Sequence, residues 1–183
     1  MKTSTLLVAT AIVTLAASSL GYRLGACSAN KASQLPAAAT AVAELPIYEL
    51  TLPDLNGRPQ ALKQWRGKVL VVNYWATWCP PCREEMPGFA RLQEKFGAKG
   101  VQFVGISIDT AAKVAEFQTT TPVNYPLLIG EMSAIQSSEA LGNSRQALPF
   151  TAVLDQQGRI AQVKLGRFSE AELERALETL VNK

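Results

Sequence analysis

The chain contains no histidine. That absence removes cysteine–histidine hydrolases, histidine general bases and histidine-ligated metals from the mechanisms available to it. Cysteine is scarce too, with three in 183 residues. A closed structural zinc site needs about four ligands, so one chain cannot build it from cysteine and histidine, and only a metal shared between two copies survives. Charge of one sign is also lacking. The net charge of +3 traces to Lys2, Arg23 and Lys31, which precede the first acid, Glu44; the 18 bases less these three leave 15 against 15 acids. A neutral body offers no basic patch for nucleic acid, and neither a phosphate-cradling glycine motif nor an internal repeat is present. Hydrophobic residues make up 48% of the chain, ample for the core of one compact domain with an extension.

Two of the cysteines lie in Trp78-Cys79-Pro80-Pro81-Cys82. The preceding run, Val69 to Trp75, is short, apolar and β-branched, as a strand covered on both faces should be. After it, Met86, Phe89, Leu92 and Phe96 recur at helical spacing among Arg83, Glu84, Arg91 and Glu94, which predicts a helix with one apolar face. Cys79 then falls at the helix N-terminus, where unpaired N–H groups and the positive end of the helix dipole favour thiolate. Cys82, one turn on, is near enough to resolve a mixed disulfide. Pro80 and Pro81 suit a first helical turn but donate no hydrogen bond to the Cys79 sulfur, so the nearest forward N–H belongs to Cys82. A milder fall in thiol pKa than in a strongly oxidising enzyme is expected. Three readings of the pair stay open: half of a shared metal site, a structural disulfide, or a redox dithiol. Thiol exchange requires only a nucleophilic thiolate, a resolving thiol and a proton acceptor, none of which is histidine.

The segment Asn73 to Pro87, NYWATWCPPCREEMP, resembles the active-site segment of the TlpA/ResA branch of the thioredoxin superfamily, and the similarity in element order extends over residues 46–183. The resemblance implies an α/β thioredoxin fold: a central mixed β-sheet flanked by helices, with an N-terminal β-hairpin extension. It also implies a bacterial, membrane-tethered, extracytoplasmic protein-disulfide oxidoreductase that needs no metal and no cofactor, with Cys79 attacking and Cys82 resolving. Thioredoxin carries a buried acid where this chain has Asn73, which cannot take a proton. The TlpA/ResA group often uses a glutamate three residues beyond the second cysteine, and that position is Glu85. On a helix, positions 82 and 85 share a face, and a partly desolvated carboxylate there has a raised pKa suited to proton exchange with Cys82; an ordinary solvated charge like Glu84 is the bland alternative. The superfamily's cis-proline matches Pro149. A cis bond would turn the Leu148 backbone toward the sulfurs, where an extended substrate can add as a strand. Trp78, Pro80, Pro81, Leu148 and Pro149 are accordingly the candidate substrate-binding residues.

The remaining elements follow from pattern. Ile47 to Leu52 alternates and Asp54 to Pro59 is rich in turn residues, which predicts a β-hairpin leading to Leu62. Val101 to Ile108 reads as a strand parallel to the first, and Asp109 or Thr110 as the cap of a helix with Val114 and Phe117 inward. Pro87 should kink the active-site helix. Leu127 to Ile129 is a short strand or extended piece, and Met132 to Leu141 a helix. Ala152 to Leu154 and Arg159 to Val163 form a hairpin about Gln156-Gln157-Gly158. Ser169 to Glu172 is a capping box, followed by a stripe of Leu173, Leu177, Leu180 and Val181.

The N-terminus reads as an address. Thr3 to Tyr22 carries no charge and is flanked by Lys2 and Arg23; such a stretch of about 20 residues serves as a signal peptide or just spans a bilayer. Residues 1–26 are thus a signal or membrane-anchor segment. Leu24-Gly25-Ala26-Cys27 resembles a lipobox, which would make Cys27 a lipidation site, although Arg23 departs from the lipoprotein pattern. Residues 27–45, rich in Ala, Ser, Thr and Pro, read as a flexible linker. The expected location is the periplasmic side of the bacterial inner membrane, anchored through the N-terminal segment, with lipoprotein and secreted forms as alternatives. The expected partners are exported proteins bearing thiols or disulfides and a membrane electron donor of the DsbD type, with no nucleic acid. Two rival functions accompany this one: a cytochrome c maturation reductase, against which Ser144 to Leu148 lacks a Gly-x-x-Glu pattern beside the proline, and a non-catalytic Cu(I)-binding module using the same two thiolates.

Overall fold

The computed structural model describes residues 45–182. The leader expected over 1–26, Cys27 and nearly all of the linker lie outside the described residues, among which no helix is long and apolar enough to cross a membrane.

The chain first makes a small antiparallel hairpin, β1 (Thr51–Pro53) and β2 (Pro59–Ala61), with Thr51 opposite Ala61. The expected strand from Ile47 is shorter than its alternation suggests, because Pro46–Glu49 is a 3₁₀ turn in which Ile47 and Tyr48 are both buried. Consecutive buried side chains cannot both face one side of a strand, and a proline at the first position of a helical turn favours the turn. Asp54 closes the hairpin by accepting from the N–H groups of Asn56 and Arg58 at 2.8 and 2.9 Å.

The main sheet has five strands: β3 (Val69–Trp75), β4 (Val101–Ser107), β5 (Leu127–Ile129), β6 (Phe150–Leu154) and β7 (Ile160–Leu165), in the order β5-β4-β3-β6-β7. β3 runs parallel to β4 and antiparallel to β6, so the sheet is mixed. Every residue of β3 is buried. Val69, Val71, Asn73 and Trp75 face the side covered by α1 (Pro80–Phe96), α2 (Ala111–Thr120) and α4 (Glu170–Val181). Leu70, Val72 and Tyr74 face the side covered by α3 (Glu131–Ser137), Leu141 and the N-terminal segment through Trp65. This double covering explains the unbroken apolar run that marks β3 in the sequence.

α1 carries the predicted stripe: Met86, Phe89, Leu92 and Phe96 are at most 2% exposed. The helix runs through Pro87. An interior proline costs about 3 kcal/mol, whereas burying each large apolar side chain contributes roughly 1.5–3 kcal/mol, so the packed face outweighs the lost backbone bond. At the far end, Ser169 and Glu172 form the predicted capping box of α4, and Leu173 and Leu177 are fully buried. Gly105 on β4 is required by a close approach. A Cβ there would lie 3.1 Å from the Trp75 indole nitrogen and 2.7 Å from Leu127, so the missing side chain makes room for Trp75 beneath the active-site turn.

Candidate active site

The cysteines sit where β3 hands the chain to α1. The strand ends at Trp75, the Cys79 N–H donates to the Ala76 carbonyl at 3.2 Å, and Cys79 becomes the N-cap residue of α1 with an extended backbone. Cys79 and Cys82 are joined in a disulfide with their Cα atoms 5.3 Å apart. Both are buried, Cys82 completely and Cys79 to all but 4%. Of the two, Cys79 borders a surface groove of about 420 Å³, whose walls also include Trp78, Pro80, Pro81, Ile108, Met132, Ile135, Gln146 and Leu148. No charged side chain lines it. Trp78 and Met132 stand at its edge, 62% and 67% exposed.

The cis peptide bond is present at Leu148-Pro149. Asn143, buried before it, holds the approach: its amide nitrogen donates to the Ala147 carbonyl at 3.0 Å, and its amide oxygen accepts from the Ala147 N–H at 3.1 Å. Leu148 reaches the groove wall. Pro149 is buried and is not part of that wall; its carbonyl accepts from the Gly166 N–H at 2.9 Å.

Glu85 lies one turn along α1 from Cys82 and points inward, 3% exposed. One carboxylate oxygen accepts from the Asn73 amide at 2.8 Å and the other from the Phe168 N–H at 2.8 Å. Asn73 also donates to Thr151, its cross-strand neighbour on β6, at 3.0 Å. Burial pushes the Glu85 carboxyl up to about 7; the donors on Phe168 and Asn73 and the charge of Arg167 pull the other way without cancelling it. Burial wins because it penalises the charged form. A carboxyl near 7 is half charged at neutral pH, the condition under which it both takes and returns protons. Asn73, which cannot ionise, serves instead as a donor to the acid beside it.

Asp109 or Thr110 was expected to cap α2. Thr110 occupies the cap position, without a side-chain bond, and the Asp109 side chain turns back across the sheet end. One of its oxygens accepts from both the N–H and the hydroxyl of Thr77, at 2.8 and 2.9 Å. Ile108, Met132, Ile135 and Gln146 are likewise site residues that sequence reasoning did not find. They come from separate segments of the chain and share no period. Among the described residues, no three His, Cys, Asp or Glu side chains converge to hold a metal ion.

Residues 31–180 match the model of the Redoxin family. The chain belongs to that family. It is a thioredoxin-like thiol-disulfide oxidoreductase, in keeping with the relatives it resembles over most of its length. It is 26% identical over 180 residues to the thiol-disulfide oxidoreductase ResA of Geobacillus thermodenitrificans, covering 98% of each chain. It is 30% identical over 134 residues to the thioredoxin-like protein YneN of Bacillus subtilis, covering 71% of this chain and 75% of that one. Among solved structures, a secreted thiol-disulfide isomerase from Corynebacterium glutamicum superposes with a TM-score of 0.66 at 25% identity, over 74% of this chain and 84% of that one. In this oxidoreductase the disulfide therefore lies between two unlike environments, an apolar groove outside and a titratable carboxyl inside.

Proposed function

We propose that the protein is an extracytoplasmic reductant of disulfides in exported proteins, held at the membrane by its N-terminal segment and recharged by a membrane dithiol donor of the DsbD type. In the reduced enzyme, the Cys79 thiolate attacks one sulfur of a substrate disulfide. The new S–S bond joins enzyme to substrate, and the other substrate sulfur leaves as thiolate. Glu85 takes the proton from Cys82. The Cys82 thiolate then attacks the Cys79 sulfur and releases the second substrate thiolate, leaving the Cys79–Cys82 disulfide; the enzyme has lost two electrons and the substrate has gained them. Trp78, Pro80, Pro81 and Leu148 receive the substrate segment, and the cis bond at Pro149 presents the Leu148 backbone as a strand partner.

The observation that carries this reading is the buried Glu85 carboxyl, raised to about 7 and one turn from the buried cysteine. A merely structural disulfide has no use for such a group. The reducing direction rests on Pro80 and Pro81, which withhold backbone donors from Cys79 and so limit stabilisation of its thiolate. The test is the reduction potential of the Cys79/Cys82 pair in thiol buffers, read by mass spectrometry. A value below about −200 mV is expected, toward thioredoxin at about −270 mV; a value near −120 mV, the region of DsbA, would reverse the direction.

A further inference from the structure

The Asp109 carboxylate is only 6% exposed, and its bonds run to a loop belonging to another element. It takes the backbone N–H and the hydroxyl of Thr77 on a single oxygen, at 2.8 and 2.9 Å, while its other oxygen lies 3.6 Å from the Lys113 ammonium. Thr77 stands two residues before Cys79, a Cα separation of at most about 7 Å. The same turn is stitched again by the Ile108 N–H, which donates to the Trp75 carbonyl at 3.1 Å. The link from the β4–α2 turn to the β3–α1 turn therefore bears on the residues that present Cys79, and it sets a negative charge beside them.

We propose that Asp109 is a positioning residue for the exchange reaction: it clamps Thr77 so that Cys79 is held at the head of α1, and its charge disfavours the Cys79 thiolate, keeping the pair toward the reducing end. This rests on Cys79 being the attacking thiol. A nearby negative charge raises a thiol's pKa, and a less stabilised thiolate means a less stabilised reduced form and a lower potential. The charged groups around this turn are Asp109 itself, Lys113 and Glu116 on α2, and Arg83 and Glu84 on α1, with Arg167 facing Glu84 at 3.7 Å and Glu85 buried behind; no charged side chain lines the groove. Arg83 and Lys113 favour the thiolate, and Asp109 opposes them from a more buried position.

The experiment is pH-dependent alkylation of the reduced protein with mass assignment of each cysteine, together with the reduction potential and thermal unfolding, on wild type, Asp109→Asn and Thr77→Val. Asparagine keeps an acceptor for Thr77 and removes the charge, so the Cys79 pKa is expected to fall by about half a pH unit and the potential to rise. Valine removes one donor and keeps the charge. It should leave the Cys79 pKa within about 0.2 unit while slowing turnover of a disulfide peptide several-fold. Because both groups are buried, the shift in Asp109→Asn should largely persist in about 1 M salt, which screens buried pairs far less than exposed ones. An Asp109→Asn protein with lowered stability and an unmoved Cys79 pKa overturns the proposal, as does a Thr77→Val shift equal to that of Asp109→Asn. If Cys82 rather than Cys79 is the lower-pKa thiol in wild type, the assignment of the attacking thiol fails instead, a result that the Asp109 variant cannot mimic.

Discussion

The two sides of the disulfide are built on opposite principles. Outward, Trp78, Met132, Ile135 and Leu148 line a groove without charge, and its two most prominent side chains are largely in solvent. Inward, Asn73, Thr151 and Glu85 form a polar cluster in which every member is at most 3% exposed. The outer side suits transient contact with unlike sequences, since apolar surface is non-directional. The inner side suits one task with fixed geometry, because a buried carboxyl with two donors keeps its place and its shifted pKa. The apolar groove and the buried carboxyl thus involve successive turns at the start of α1, and each side can be altered while the other is left intact.

The largest effect is expected where the two sides meet. Cys79→Ser should reduce disulfide exchange to background, whereas Cys82→Ser should still attack and then stall as a mixed disulfide, visible as a covalent mass increase with a disulfide peptide. Retained turnover in Cys79→Ser would show that the sulfur bordering the groove is not the one that attacks.

On the inner side, Glu85 ties stability to pH. Its folded pKa of about 7 lies above the ordinary 4.5, so the native state holds a proton that the unfolded chain releases. The stabilisation is full below about pH 4.5 and is lost as pH rises toward and through 7, by about 3 kcal/mol in all. Glu85→Gln should flatten that part of the Tm-versus-pH curve. A wild-type curve with no fall between pH 4.5 and 7.5 would mean that Glu85 is charged throughout.

On the outer side the effects are smaller. Met132→Glu puts a charge at a groove wall that has none to pair with it, and should raise KM for a peptide disulfide about five- to tenfold, with kcat little changed. Trp78→Ala should do the same to a lesser degree. Neither should move the pH dependence of stability, and a variant that did so would show that the two sides are coupled.

The inner side was largely legible in the sequence, and the outer side only in part. Cys79, Cys82 and Glu85 fall within seven positions of one helix, so helical spacing alone relates them. The α1 stripe and the α4 capping box were legible for the same reason: their signals are local. Ile108, Met132, Ile135 and Gln146 reach the groove from the end of β4, from α3 and from the loop before the cis bond, and only the sheet order brings them together. Asp109 and Thr110 carried the same local signal, a cap for α2, and it is Thr110 that takes the position. An aspartate before a helix reads as its cap, but a partner across the sheet end supplied two donors, and tertiary geometry prevailed. The N-terminal strand was too long by the same logic, since alternation at Ile47 and Tyr48 could not reveal that both side chains are buried together.

The most direct measurement is the rate at which a mixed disulfide formed at Cys79 is resolved by Cys82, followed from pH 5 to 9 in wild type and in Glu85→Gln. If Glu85 takes the Cys82 proton, the wild-type rate rises through an inflection near 7 and levels off. The variant should then lose that inflection, run about 100-fold slower at neutral pH and rise only with the thiol's own titration. Identical profiles in the two proteins would contradict the role assigned to Glu85 and leave the buried carboxyl as part of the scaffold.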